Sequence, residues 1–327
     1  MDQGHVANRP AGSLGSSLAV TIRTGPMIGW EGMSKDVVAI LGGKGMLGVD
    51  LTSACRAKGH DVRVYDLPEF DITDPAHVRE VVCQADAVIN CAAYTHVDGA
   101  ETHKELAHRV NGAAVGQLGT FAREHGKWVL HFSTDFIFSG ALDRPYVETD
   151  VPEPINEYGR SKLAGEQSLE ASGCAHCIAR LEWTYGTHGT NFVTKLIEQT
   201  FRGGTLQVVD DQIGSPTATT VVAAVACDLL EHRAEGTYHL ASAGYVSRFG
   251  MAQFISEQLG LGVDLRPCRS GDYPVPATRP LNSRFDCSKI HGFLGYEIEP
   301  WQTSLEHFLR QLDETDSDYR RCRIHRQ

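Results

Sequence analysis

The chain has 327 residues, 42% hydrophobic and 22% charged, ordinary proportions for a globular protein large enough to bury a sizeable core. Its net charge of −11 argues against a nucleic-acid surface and disfavours adhesion to anionic membrane. Nine cysteines, an odd count, read as free thiols in a reducing, cytoplasmic setting, and no run of 18 apolar residues implies a membrane span.

Residues 1–33 are rich in Gly, Ser and Pro and lack periodicity, so they read as a tail ahead of a true start at Met33. Residues 37–41 form an apolar run of the buried parallel-strand kind, followed by Gly42-Gly43-Lys44-Gly45-Met46-Leu47-Gly48 and a helix to about residue 58. Further strands are predicted over 61–66, 87–93, 128–133 and 177–183, with helical character over 101–125 and 161–171. This alternation predicts an α/β fold, a doubly wound parallel Rossmann sheet with right-handed crossovers, over residues 34–185. Beyond Trp183 the pattern predicts a helix over 190–202, an extended piece over 206–209 and an amphipathic helix over 219–232. A strand over 236–241 and a helix over 247–259 with Ser247 as N-cap follow. The proline-rich stretch 267–280 reads as an irregular loop over the site. These later pieces do not extend the first sheet simply. Residues 186–318 are therefore assigned mainly to a smaller α/β substrate lobe, with some segments returning to the first domain and 319–327 left as a tail.

The glycine loop follows an apolar strand and opens a helix, the context a dinucleotide pyrophosphate requires. Gly42, Gly45 and Gly48, with Met46 and Leu47, are the candidate contacts; the helix N-terminus supplies N–H groups and positive potential. Asp66 ends the second strand where a carboxylate can accept a ribose 2′-hydroxyl, which favours NADH, although Lys44 or Arg63 could support NADPH. Thr134 of Ser133-Thr134-Asp135 follows the fourth strand, where its hydroxyl can donate to a carbonyl oxygen. Tyr158 and Lys162 are four residues apart and share a helix face. An ammonium about 4 Å from the phenolate would act with roughly 4 kcal/mol, enough to bring a tyrosine towards pH 7. Cys174-Ala175-His176-Cys177 has redox or metal spacing but no second pair, and reads as a loop entering a strand.

With these residues the chain resembles the extended short-chain dehydrogenase/reductase superfamily and, within it, the dTDP-4-dehydrorhamnose reductases. The resemblance runs from about Val37 to Leu309. Its specific pieces include 91–95, 154–166 and 183–186, and the far narrower Asp211-Gln212-Ile213-Gly214-Ser215-Pro216-Thr217 and Pro276-Ala277-Thr278-Arg279-Pro280 with Ser283. It implies NAD(P)H-dependent reduction of the C4 ketone of a dTDP-sugar, with Tyr158 protonating the oxygen, Lys162 tuning Tyr158 and holding the ribose, and Thr134 bonding the ketone. It also implies that Asp71 and Ile72 flank the adenine and that Ala92, Ala93 and Thr95 line the cofactor. Asp135, Trp183, Asn191 and Arg279 are expected at the sugar. Met46 departs from the family's usual Gln, and Phe136 and Ser139 from its usual Tyr and Asp. Some members dimerise through a magnesium site built of glutamates. No residues here match it, so no metal is assigned, Mg2+ is without support, and a homodimer stays open. Competing readings are a 4,6-dehydratase or epimerase, for which Phe136 replaces the needed acid, another deoxysugar 4-ketoreductase, or a regulatory subunit like that of methionine adenosyltransferase.

Overall fold

The structure is a computed structural model that describes residues 35–201, 203–272 and 274–315; the expectations for 1–33 and 319–327 lie outside these. From the N-terminal side, β1 (Val37–Leu41), α1 (Met46–Ala57), β2 (Asp61–Tyr65), α2 (Pro75–Gln84) and β3 (Ala87–Asn90) alternate as strand and helix. Two short helices, α3 (Val97–Ala100) and α4 (Lys104–His108), lead through a π-helical segment, Arg109–Ala113, into α5 (Ala114–Glu124). Then come β4 (Trp128–Thr134), α6 (Glu157–Ser172) and β5 (His176–Leu181).

The five strands so far and a later one, β10 (Gly236–Leu240), form a six-stranded sheet in the order β2-β1-β3-β4-β5-β10, parallel throughout. Because successive strand residues face opposite sides, each strand supplies two cores. Val38, Ile40, Leu130 and Ala179 face Leu51 and Cys55 of α1. Ala39, Leu41, Val88 and Val129 face Val78 of α2, Leu118 of α5 and Leu169 of α6. Helices on both faces explain why these strands read as continuous apolar runs. The strand order reverses between β1 and β3, so the loops after those strands flank the crevice where open α/β sheets bind ligands.

The C-terminal part runs β6 (Thr184–Tyr185), α7 (Phe192–Phe201), β7 (Thr205–Val209), β8 (Ile213–Gly214), β9 (Thr217–Ala218) and α8 (Thr219–Glu231). It continues with β10 (Gly236–Leu240), β11 (Val246–Ser247), α9 (Arg248–Leu259), β12 (Asp264–Cys268), α10 (Ser288–Leu294) and α11 (Trp301–Thr315). Tyr185, Leu196, Met251, Ile255 and Phe308 centre a further core between α7, α9 and α11. Among the described residues no helix is long and apolar enough to cross a membrane.

Several expectations are corrected. β10 does extend the first sheet, lying parallel to β5, and α8 covers the same face as α1, where Cys55 and Cys227 meet with sulfurs 3.6 Å apart. Expected strand 177–183 stops at Leu181 because Trp183 has φ +45°, which no strand continues through. Helix 161–171 begins earlier, at Glu157, because Asn156 caps it by accepting from Gly159 N at 2.8 Å. The loop at 267–280 opens as strand, since Pro267 and Cys268 pair with β7. Helix α2 was unread although Asp74 and Pro75 are ordinary N-cap and first-turn residues.

Candidate active site

The cofactor cradle follows from β1. Gly42 has φ +71°, and a Cβ there would lie 2.7 Å from Ala92 N, so the loops after β1 and β3 touch backbone to backbone. Gly45 caps α1 with no side-chain bond, and the first turn of this 12-residue helix holds no acidic residue. Bare N–H groups at the positive end of a helix, beside glycines, fit a pyrophosphate. Asp66 is partly occupied: its carboxylate accepts from Lys44 N and Leu67 N, both at 2.8 Å. Lys44 is exposed and pairs with Glu69 at 2.9 Å, while Arg63 bonds to Gln84 instead of turning to the loop. Asp71 accepts from Thr73, and Ile72 is buried in the core under α2. Ala92 and Ala93 are half-buried and Thr95 is exposed beyond β3.

The proposed chemical residues meet at the C-terminal end of β4. Thr134 Oγ1 donates to Asp135 Oδ1 at 2.9 Å and accepts from Phe136 N at 3.2 Å. Tyr158 lies in the first turn of α6, its ring edge-on to Phe136 at 5.5 Å. The helix sits so tightly on this turn that a Cβ at Gly159 would come 2.1 Å from Phe136 O. The expectation of an acidified phenol is corrected here. Burial, helped by the Asp135 carboxylate, holds the Tyr158 phenol well above its usual range, and the Thr134 hydroxyl pulls only partly the other way.

Lys162 acts elsewhere. Its Nζ donates to Phe132 O at 2.6 Å and lies 3.3 Å from His131 Nε2. Asn90 Oδ1 accepts from Ala92 N, which turns its amide nitrogen to His131 Nδ1 at 3.1 Å. With Nδ1 accepting, the neutral imidazole carries its proton on Nε2 and points it at Lys162. That chain is fully satisfied when Lys162 is a neutral amine. Burial brings Lys162 down to about 8, against opposing pulls from Glu166 and Cys91. Burial, with the Lys162 charge, keeps His131 well below its usual range.

A pH signature follows. Between about 8 and the usual 10.5 the unfolded lysine holds a proton that the folded one has lost, so stability rises with pH across that window. Chemical denaturation of wild type and Lys162→Met through this range should show the wild type gaining on the variant. Parallel curves would mean that Lys162 titrates normally.

Around this centre lie Asp135, which the sequence placed at the sugar, and three residues it did not single out: Glu182, Arg248 and His131. Asp135 is buried, takes a further bond from Ser283 Oγ, and is raised by burial. Glu182 is 1% exposed, accepts from Ser215 N at 2.7 Å and Phe285 N at 3.3 Å, and is raised well above its usual range, again by burial. Arg248 stacks over the Trp183 ring at 3.6 Å. His131 interrupts an apolar strand, a signal that was readable; Arg248, one residue past a helix cap, gave none. The structure commits Asn191 to Gly186 O and Thr194 N, with a further contact to Met46 Sδ. Arg279 is committed to Asp98 at 2.8 Å. Thr278 O accepts from Asn156 Nδ2 at 2.7 Å, so the loop at 276–280 is tied to the cap of the helix that bears Tyr158. Among the described residues no cluster of three His, Cys, Asp or Glu is disposed to hold a metal ion.

Known proteins resemble this chain over most of its length. The family model described as the RmlD substrate binding domain matches residues 36–314. A dTDP-4-dehydrorhamnose reductase of Mycolicibacterium smegmatis is 40% identical over 248 residues, 74% of this chain and 76% of its own. That of Escherichia coli is 32% identical over 84% of this chain and 97% of its own. The crystal structure of the Bacillus anthracis dTDP-4-dehydrorhamnose reductase in complex with NADP superposes with a TM-score of 0.82 at 32% identity, covering 85% of this chain and 100% of that one.

Proposed function

The chain belongs to the RmlD substrate binding domain family, and we propose that it reduces the C4 ketone of dTDP-4-dehydro-β-L-rhamnose to dTDP-L-rhamnose with NADPH or NADH. The observation that carries this reading is the meeting of Thr134 and Tyr158 at the end of β4, with Lys162 one turn further along α6, in a sheet whose first strand leads into a glycine-loop helix without a side-chain cap. We assign the further core between α7, α9 and α11 to a substrate-binding part, in keeping with residues 186–318 as a smaller lobe.

When bound, a reduced nicotinamide supplies the hydride. Gly42, Gly45, Met46, Leu47 and Gly48 would hold its pyrophosphate, and Ala92 the wall opposite. Ketone reduction asks the protein for a proton on oxygen, and a phenol held above its usual range is protonated at neutral pH. Tyr158 is therefore poised as an acid, the role that reduction requires. Thr134, by exchanging its bond to Asp135 for one to the same oxygen, would steady the charge that develops there. Lys162, fixed by Phe132 O and His131, stands on the same helix face to support the phenolate left behind.

The test is oxidation of NADPH and of NADH by the full chain with the dTDP-4-keto sugar, followed by identification of the sugar product. Turnover to dTDP-rhamnose is expected with at least one cofactor. If a panel of deoxysugar nucleotides gives no turnover and the chain instead binds another protein tightly, the regulatory reading replaces this one.

A further inference from the structure

Arg248 is the first residue of α9, its own N–H donating to Gln212 O at 3.2 Å. Its guanidinium lies 3.6 Å from the centroid of Trp183 and 4.9 Å from that of Phe192, stacked on one ring and flanked by the other. Among the described residues it has no carboxylate within ion-pair reach and no side-chain hydrogen bond. The two acids that attract it are already engaged. Asp135 is held by Thr134 and Ser283, and Glu182 by Ser215 N and Phe285 N. Both acids are also biased towards their neutral forms by burial, which weakens them as counter-ions. Arg279 acts on Arg248 as a second positive charge from the loop at 276–280.

Arg248 is half-buried; a guanidinium keeps its charge in nearly any protein setting, so desolvating part of one against two aromatic rings without a partner is costly, and burial lowers it to about 10. Such a group is built to meet an anion. The glycine loop that suits the cofactor's pyrophosphate follows β1, whereas Arg248 stands against Trp183, just beyond β5, and feels the charge of Asp135, just beyond β4. We propose that Arg248 grips the diphosphate of the nucleotide-sugar substrate, with Trp183 as the plate that holds its fork in plane. The identity of the ligand rests on the reductase reading above; the assignment of a diphosphate contact to Arg248 rests on geometry.

Calorimetric titration of the full chain with dTDP and with thymidine tests it, using wild type, Arg248→Lys and Arg248→Gln. Loss of a charge-assisted contact should weaken dTDP by roughly 10–100-fold in Arg248→Gln and less in Arg248→Lys. Thymidine binding should stay within about twofold in both, which also reports that the pocket is intact. If dTDP binds Arg248→Gln as tightly as wild type, the proposal fails. It fails equally if thymidine weakens in parallel with dTDP in the folded Arg248→Lys variant, because the residue then shapes the pocket without touching the diphosphate. Should wild type prefer UDP or GDP with the same dependence on Arg248, the dTDP-sugar reading falls while the diphosphate contact stands.

Discussion

Replacing Tyr158 by phenylalanine should lower kcat for ketone reduction by roughly 10²–10⁴-fold, the range expected when a positioned proton donor is removed. KM for the sugar nucleotide and the melting temperature should hardly move. The ring survives, so its edge-on contact with Phe136 at 5.5 Å is kept, and only the hydroxyl is lost. Burial has placed that hydroxyl in its protonated form at neutral pH, so what disappears is an acid ready to deliver its proton. Steady-state kinetics with both cofactors would decide the matter. A loss smaller than about tenfold would pass the protonating role to solvent or to Thr134. A large drop in melting temperature would turn the result into one about folding.

Glu166→Ala should destabilise the protein by roughly 3–5 kcal/mol, the usual cost of stranding a buried charge. Arg180 and Glu166 have side chains only 6% and 2% exposed and are joined by bonds of 2.7 and 3.0 Å. Glu166 lies on α6, one turn beyond Lys162, and Arg180 on β5, so the pair ties the helix bearing Tyr158 to the sheet. Without Glu166 the guanidinium keeps only Glu148 O at 3.3 Å, the His239 ring nitrogen at 3.4 Å and the face of Phe138. Removing both charges in Glu166→Ala/Arg180→Met should recover much of the loss, because no unpaired ion then remains inside. Denaturant unfolding of the three variants measures this. A single variant that loses less than about 1 kcal/mol, the scale of an exposed pair, would show that water reaches the site.

Much of this protein was legible as a one-dimensional pattern because the relevant physics is local. An apolar run, a glycine loop and a helix make a parallel strand and a dinucleotide turn by themselves, and Tyr158 and Lys162 share a face wherever that helix lies. Thr134 was legible because position after a buried strand puts a residue at the ligand end of such a sheet. Expectations failed where a residue's neighbours come from far along the chain. β10 is among the later pieces that the pattern does not add simply to the first sheet, yet it becomes that sheet's edge, since only the open side of β5 decides its partner.

Residue types, spacing and the fold class were thus determined by the amino-acid order alone, through periodicity, turn chemistry and helix geometry. The tertiary structure decided the protonation states. Burial and the Asp135 carboxylate raise the Tyr158 phenol, and contacts between β3, β4 and α6 join Asn90, His131 and Lys162 into one chain of hydrogen bonds. It also decided that Arg248, silent in the sequence, stacks on Trp183 with no ion-pair partner among the described residues. Desolvation and pairing depend on what surrounds a group in space, and sequence distance carries no record of that.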